Sequence, residues 1–233
     1  MTVGKRIFLQ RNMPDPEIVE QFKSIPASNV GDVINRNCAM HPRIHLVSSP
    51  KAPMMAGPAY TVKGRAGDNL TLHAALNLCQ EGDVLIVSNE EDNTRSLMGD
   101  VMMSYLRYTK KIAGIVLDGP IRDIDEIGTW DFPVYCTGTT PGGPYKDGPG
   151  EINVPVSCGG IPVNPGDIIL GDQDGVIVIP REESTQILED AKKFQIADNQ
   201  KCEAAKNGVA KRGWVEKAIE EKGYEIIDDV YKI

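Results

Sequence analysis

The chain has 233 residues, of which 41% are hydrophobic and 25% are charged, a composition typical of a globular domain with a substantial core. Its formal net charge of -8 argues against a surface that binds nucleic acid or an anionic membrane. No apolar run approaches the roughly 20 residues needed to span a bilayer, and the N-terminus lacks the apolar core of a signal peptide. The five cysteines are scattered and form no CxxC pair, so we expect reduced thiols and a cytoplasmic protein.

The first part of the chain carries helix signals. Asp15 followed by Pro16 is a favourable N-cap and first helical position, and the apolar residues after it predict a short helix. Pro26 ends this helix. Ser28 is predicted to cap a second helix that runs to about Asn35.

The middle of the chain alternates strands, turns and helices. Short apolar runs predict buried strands, and the segments between them carry glycine turns, caps and apolar residues at helical spacing. The predicted strands are 58–63, 84–87, 114–117 and 132–135, and the predicted helices begin after Asn69 and Gly99. This alternation indicates an α/β layered fold with buried strands.

A glycine- and proline-rich segment, 138–150, predicts a long loop, after which the pattern changes. Runs at 154–156, 167–170 and 175–179 predict short strands, and a long polar helix with an apolar stripe follows Pro180. We therefore expect an α/β domain, 1–180, that includes the N-terminal helices. A C-terminal helical extension, 181–233, would pack on this body or on a neighbouring subunit.

The pair Arg122-Asp123 follows the buried run 115–117 and the turn residues Gly119 and Pro120. Ligand groups in open α/β sheets gather beyond the carboxyl ends of the strands. An arginine there can bind a carboxylate through two hydrogen bonds, and an aspartate can bind a hard divalent cation. A helix-capping aspartate beside a surface arginine is the alternative that spacing leaves open.

Gly99 and Asp100 lie at a predicted helix start, where free backbone N–H groups can bind an anion. The charge of Asp100 opposes an anionic ligand unless a cation also binds there. A plain Gly-Asp helix start remains the alternative. Two further Gly-Asp turns, 67–70 and 171–176, are interpreted as structural, and His73 as a core or interface residue.

Other catalytic signatures are missing from the sequence. The chain has no HExxH, no Gly-x-Ser-x-Gly elbow and no GxGxxG after a strand, so zinc-protease, serine-hydrolase and dinucleotide-binding patterns have no support.

Six stretches in order carry a resemblance to a known family: GDNLTLHAAL, GDVLIV, SLMGDVM, GIVLDGPIRDIDEI, FPVY and VNPGDIILGDQDGVIVIP. They resemble the 4-hydroxy-4-methyl-2-oxoglutarate/4-carboxy-4-hydroxy-2-oxoadipate aldolases, which are related to the regulator of ribonuclease activity A. The resemblance implies a swivelling β/β/α fold in homotrimers or homohexamers with active sites between subunits. It also implies a class II pyruvate aldolase that uses Mg²⁺ or Mn²⁺, takes a small 2-oxo acid and decarboxylates oxaloacetate.

The resemblance also assigns roles to individual residues. The pyruvyl group would be bound by Gly99, Asp100, Val101, Met102 and Arg122. Asp123 would be the metal ligand, with Asp100 holding a metal-bound water. The family uses a glutamate from the C-terminal helix of a neighbouring subunit to hold a further metal-bound water. The nearest matching position here is Asp198, an aspartate that departs from the family pattern, with Glu203 as the alternative.

Two other functions are compatible with the sequence. One is a non-catalytic binding protein that regulates a ribonuclease, and the other is a lyase or decarboxylase of the same fold with an unrelated substrate. The long C-terminal extension and the retained Arg122-Asp123 pair favour the aldolase. Residues that select the second half of the substrate are expected in the loop 138–150 or across a subunit interface.

Overall fold

The computed structural model describes residues 2–52 and 54–231. Contacts divide the chain into two units, Met1–Lys192 and Lys193–Ile233. The strands are β1 His45–Leu46, β2 Met55–Gly64, β3 Val84–Ser88, β4 Gly114–Asp118, β5 Val134–Cys136, β6 Gly150–Ile152, β7 Val156–Cys158, β8 Ile161–Val163, β9 Ile168–Asp172 and β10 Gly175–Ile179. The helices are α1 Pro16–Phe22, α2 Ala27–Val33, α3 Leu70–Leu78, α4 Asp100–Ser104, α5 Ile124–Ile127, α6 Ser184–Lys206 and α7 Trp214–Glu221.

One mixed sheet organises the first unit. Its strand order is β1-β5-β4-β3-β2-β9-β10, with β6 also paired to β2. Strands β2, β3, β4 and β5 run parallel, and the remaining pairings in this sheet are antiparallel. Because the end strands β1 and β10 contact each other, the sheet is nearly closed. The predicted α/β class is therefore confirmed.

The central strands β3 and β4 are buried on both faces. Residues 84–87 and 115–117 are at most 2% exposed, which explains why these strands are continuous apolar runs rather than alternating ones. Side chains on one face pack against α3, α4 and α5, and those on the other face fill the interior of the nearly closed sheet. The predicted strands 58–63, 84–87, 114–117, 132–135, 167–170 and 175–179 are confirmed, with ends that shift by a few residues, whereas the predicted strand 154–156 overlaps β7 only at Val156.

The predicted cap of the second helix is wrong. Helix α2 begins at Ala27, so Ser28 lies inside it rather than before it. The N–H of Ala27 instead donates to Oδ2 of Asp172, the last residue of β9, at 2.9 Å. Asp15 does cap α1 as predicted, because its side chain accepts a hydrogen bond from the N–H of Glu17.

Helix α4 continues as a π-helix, Tyr105–Lys110, which ends at Lys111 in the left-handed conformation. The predicted helix after Gly99 is thus confirmed, with a widened second half. The long polar helix after Pro180 is confirmed as α6, and the C-terminal extension also contains α7. Among the described residues, no helix is both long and apolar enough to cross a membrane.

Candidate functional site

Two loops run side by side at the carboxyl ends of β3 and β4. The N–H of Leu97 donates to the carbonyl of Pro120 at 3.0 Å, and the N–H of Arg122 donates to the carbonyl of Met98 at 3.0 Å. The Ile121 N–H donates to Gly138 in a third loop. These backbone bonds bring Gly99-Asp100 next to Arg122-Asp123, which are distant in sequence.

Asp123 does not act as an ordinary helix cap. It precedes α5, yet its side chain makes no capping bond to that helix. Its backbone has φ 63°, the left-handed region that aspartate tolerates better than most residues. In this conformation Oδ2 accepts a hydrogen bond from the N–H of Asp100 at 3.1 Å. The carboxylate is therefore directed at the neighbouring loop, which argues against the capping alternative.

Gly99 allows this close approach. A Cβ at position 99 would lie 2.2 Å from Oδ2 of Asp123 and 3.0 Å from Cγ and Nε of Arg122. The backbone of Gly99 is extended, so any residue could adopt its conformation. Only glycine leaves room for both neighbouring side chains.

Arg122 lines two open cavities. Its side chain is 51% exposed, and its Nε lies 3.4 Å from Oδ2 of Asp123. A cavity of about 420 Å³ contains Arg122 and Asp123 with Thr139 and Thr140. A second cavity, of about 460 Å³, is lined by Arg122 with Gly99, Val101 and Met102, and it extends to Asn69, His73 and Lys146.

The two carboxylates have free oxygen atoms. Oδ2 of Asp123 is bonded to Asp100, and Oδ1 of Asp100 accepts from the N–H of Val101 at 2.6 Å. Within 2–52 and 54–231, the second oxygen of each makes no hydrogen bond. Mg²⁺ typically binds through one or two carboxylates and keeps several waters. The donor set therefore fits Mg²⁺ or Mn²⁺, with further ligands from water, substrate or another chain.

A closed metal site of protein ligands is not formed in this part of the chain. The described residues contain no group of three or more His, Cys, Asp or Glu that could hold a metal ion. Asp198 and Glu203 both lie on α6 in the second unit. Glu203 pairs with Lys206 at 2.7 Å, whereas Asp198 is half-buried. Their predicted role toward a neighbouring subunit stays a prediction.

The sequence predicts selectivity residues in the loop 138–150, which does line both cavities, but it does not single out individual residues of this loop or of the 69–73 segment as site residues. Thr139 and Thr140 lie beside Asp123, and Asn69, His73 and Lys146 lie in the cavity that holds Gly99. No short-range spacing connects 69–73 with 146, so the sequence offered no signal for their proximity. The 67–70 turn does have the structural role predicted for it, because Asp68 accepts from the N–H groups of residues 70, 147 and 148.

Comparison with known proteins gives a consistent family match. A family model described as RraA-like, Aldolase/RraA, matches residues 27–178. A Halalkalibacterium halodurans protein named "Putative 4-hydroxy-4-methyl-2-oxoglutarate aldolase" is 38% identical over 204 residues, covering 87% of this chain and 96% of that protein.

A solved structure extends the match to the fold. Streptomyces coelicolor RraAS2, described as an unusual member of the RNase ES inhibitor RraA protein family, superposes with a TM-score of 0.72 at 27% identity. The alignment covers 82% of this chain and 98% of RraAS2.

Proposed function

Because the chain belongs to the RraA-like, Aldolase/RraA family, we propose that it is a lyase, specifically a class II pyruvate aldolase. Its substrate would be a 4-hydroxy-2-oxo diacid or triacid, cleaved to pyruvate and a second oxo acid. Oxaloacetate decarboxylation would be a side activity, since it passes through the same enolate. The observation that carries this proposal is that Arg122, Asp123 and Asp100 come together at the carboxyl ends of β3 and β4, a group called the rim below. The side chain of Asp123 bonds to Asp100 rather than to its own helix.

Each residue has a role in the proposed reaction. The C4 hydroxyl loses its proton, the C3–C4 bond breaks, and the electron pair passes into the enolate of pyruvate. Arg122 binds the 2-oxo acid and balances the negative charge that develops on the ketone oxygen, an effect typically worth several kcal/mol. We assign Asp100 to hold the water that takes up the proton and returns a proton to C3.

A divalent cation would be held by Asp123, and by Asp100 through water, with Asp198 of a neighbouring subunit completing the site. When bound, such a cation supplies Lewis-acid stabilisation of the enolate. Magnesium or manganese suits these oxygen ligands. The proposal therefore includes a homotrimer or homohexamer acting in the cytoplasm.

A second candidate is a binding protein that regulates a ribonuclease, which the similarity to RraAS2 favours. Such a protein needs no free carboxylate oxygens beside an exposed arginine. The arrangement of Asp100, Arg122 and Asp123 therefore favours the lyase.

The test is pyruvate release, coupled to lactate dehydrogenase. The substrates would be 4-hydroxy-4-methyl-2-oxoglutarate and oxaloacetate, each with Mg²⁺ or with EDTA. We expect metal-dependent turnover of the hydroxy acid, and its loss in Asp123→Ala. Turnover of oxaloacetate alone would retain the enolate chemistry and point to another aldol substrate. No turnover of either by the folded protein, together with specific binding of a ribonuclease, would favour the second candidate.

A further inference from the structure

The cavity on the Gly99 side of Arg122 contains polar groups that the proposed chemistry does not use. Asn69, His73 and Lys146 line it together with Gly99 and Arg122. The other cavity, beside Asp123, is lined by Ile124, two threonines and Pro141 and adds no cation to Arg122. Of these two cavities, the one on the Gly99 side therefore offers additional cationic and N–H groups for an anionic part of a ligand.

His73 and Lys146 are electrostatically coupled and open to a ligand. Within the described residues, neither side chain makes a hydrogen bond or an ion pair. Burial lowers the pKa of His73, and the charge of Lys146 lowers it further, so the ammonium group acts on the imidazole. An ammonium and an imidazole N–H facing one space are both donors, and a carboxylate would accept from both.

The position of Lys146 is set by the residues on either side of it. The guanidinium carbon of Arg95 lies 4.1 Å from the centre of the Tyr145 ring. The backbone carbonyl of Tyr145 accepts a hydrogen bond from the N–H of Asn69 at 2.9 Å. On the other side, the N–H of Asp147 donates to Oδ2 of Asp68 at 2.7 Å. The loop is thus fastened to the segment that begins α3, the helix that carries His73.

Asn69 adds an unsatisfied acceptor to the same wall. Its Nδ2 donates to the carbonyl of Leu97 at 2.8 Å, but its buried Oδ1 has no partner. A buried polar atom without a partner costs free energy, and a donor from a ligand or a water would remove that cost. The oxygen is an acceptor, as a carboxylate is, so the case for an anionic guest comes from His73 and Lys146 and not from Asn69.

We propose that Lys146 and His73 form a subsite for a carboxylate on the second half of the substrate, while Arg122 at the cavity boundary binds the 2-oxo acid half. This inference rests on the proposed function for its choice of a 2-oxo acid. It deepens that function by assigning diacid selectivity to two residues outside the Arg122-Asp123 rim.

Binding of two unreactive ligands tests the subsite without catalysis. 2-Oxoglutarate and 2-oxopentanoate share a five-carbon 2-oxo acid chain and differ in the distal carboxylate. In titration calorimetry with Mg²⁺, we expect the full-length protein to bind 2-oxoglutarate at least about tenfold more tightly, as one charge-assisted contact allows. Lys146→Gln should remove most of this preference, and His73→Gln a part of it.

Two further variants control for charge and for nonspecific effects. Lys146→Arg should retain the preference because it keeps a cation at this position. Lys51→Gln removes an exposed lysine that does not line the cavity, and should bind as the unmodified protein does. Absence of a diacid preference in the unmodified protein, or its full retention in Lys146→Gln, would overturn the proposal.

The subsite and the lyase activity can fail separately. Pyruvate release from 4-hydroxy-2-oxoglutarate and from 4-hydroxy-2-oxopentanoate gives the ratio of kcat/KM for diacid and monoacid. If the protein prefers 2-oxoglutarate through Lys146 but releases no pyruvate, the lyase assignment fails and the subsite stands. If pyruvate is released and Lys146→Gln leaves the ratio unchanged, the subsite fails and the lyase stands.

Discussion

The carboxylate of Asp123 accepts a hydrogen bond at 3.1 Å from the backbone N–H of Asp100, the first residue of α4. This contact joins the ends of β3 and β4 and sets one oxygen of Asp123 beside Arg122. It depends on the missing side chain at Gly99 and on the left-handed backbone of Asp123.

Gly99→Ala should disable the site while leaving the fold intact. The added methyl group would displace the side chains of Asp123 and Arg122, both of which are partly exposed and free to move. A misplacement of about 1 Å can cost roughly 100-fold in rate. We expect pyruvate release to fall by about that factor, with a melting temperature within a few degrees of the parent.

The matched control is Gly31→Ala in α2, where an added Cβ would have no neighbouring atom within 4 Å. Alanine favours a helix over glycine, so this variant should keep full activity and gain slightly in stability. Equal activity of the Gly99 and Gly31 variants would contradict the role of the close approach.

Arg122→Lys should lower kcat even though the charge is kept. Lysine lacks the planar pair of donors that binds a 2-oxo acid, so charge on the enolate would be less well stabilised. A fall of about 100-fold is expected from the loss of one preorganised donor. Steady-state pyruvate release measures it. Arg36→Lys, at an exposed pair with Asp32, serves as the control and should change nothing.

The carboxylate contributed by a neighbouring subunit can be assigned by comparing Asp198→Asn with Glu203→Gln. Glu203 is already paired with Lys206, so we expect Asp198 to be the residue that supports the cation. Loss of a group that supports a metal ligand typically lowers metal affinity 10–100-fold. We therefore expect the Mg²⁺ concentration for half-maximal activity to rise by about that factor in Asp198→Asn. A larger effect of Glu203→Gln would transfer the role to that residue.

Arg11→Met should destabilise the fold strongly. Arg11 pairs with Asp83, and their side chains are 7% and 1% exposed. Removing the arginine leaves a buried carboxylate without its partner, at a cost of about 3–5 kcal/mol in unfolding free energy. Urea denaturation measures this cost. Lys23→Met breaks an exposed pair with Glu20 and should cost about 0.5 kcal/mol or less.

Thiol labelling should distinguish Cys202 from the other cysteines. Cys202 is exposed, whereas Cys38, Cys79, Cys136 and Cys158 are buried. Burial raises the pKa of Cys79 to about 12 and that of Cys136 to about 11, so little thiolate forms at pH 8. An aromatic disulfide reagent should therefore titrate one thiol in the native protein and five after unfolding, and fast reaction of a second native thiol would contradict this burial.

The sequence predicts the elements whose determinants are local or uniformly apolar. Strands β3 and β4 are recognisable because both faces are buried, and α1 because Asp15 and Pro16 lie at its start. The start of α2 could not be read in this way, because its cap comes from Asp172, 145 positions away. The π-helix Tyr105–Lys110 that continues α4 likewise has no local signal that separates it from an α-helix.

The residues of the candidate site also fall into two groups, those that the local sequence suggests and those that only tertiary contacts bring together. Arg122 and Asp123 follow a buried strand, where ligand groups gather, so their position in sequence suggests a role. His73 and Lys146 meet only because Asp68 and Asn69 bind the backbone of the loop that carries Lys146. That contact depends on the tertiary fold, and no spacing along the chain predicts it.

The anchored loop has a consequence for how selectivity could change. Tyr145 and Asp147 hold the backbone, so the side chain at position 146 can be exchanged without rebuilding the loop. A substitution at this single position would then change the substrate preference, while the residues that carry out the bond cleavage stay unchanged. Saturation mutagenesis at this one position offers a direct route to new substrate preferences on an unchanged scaffold.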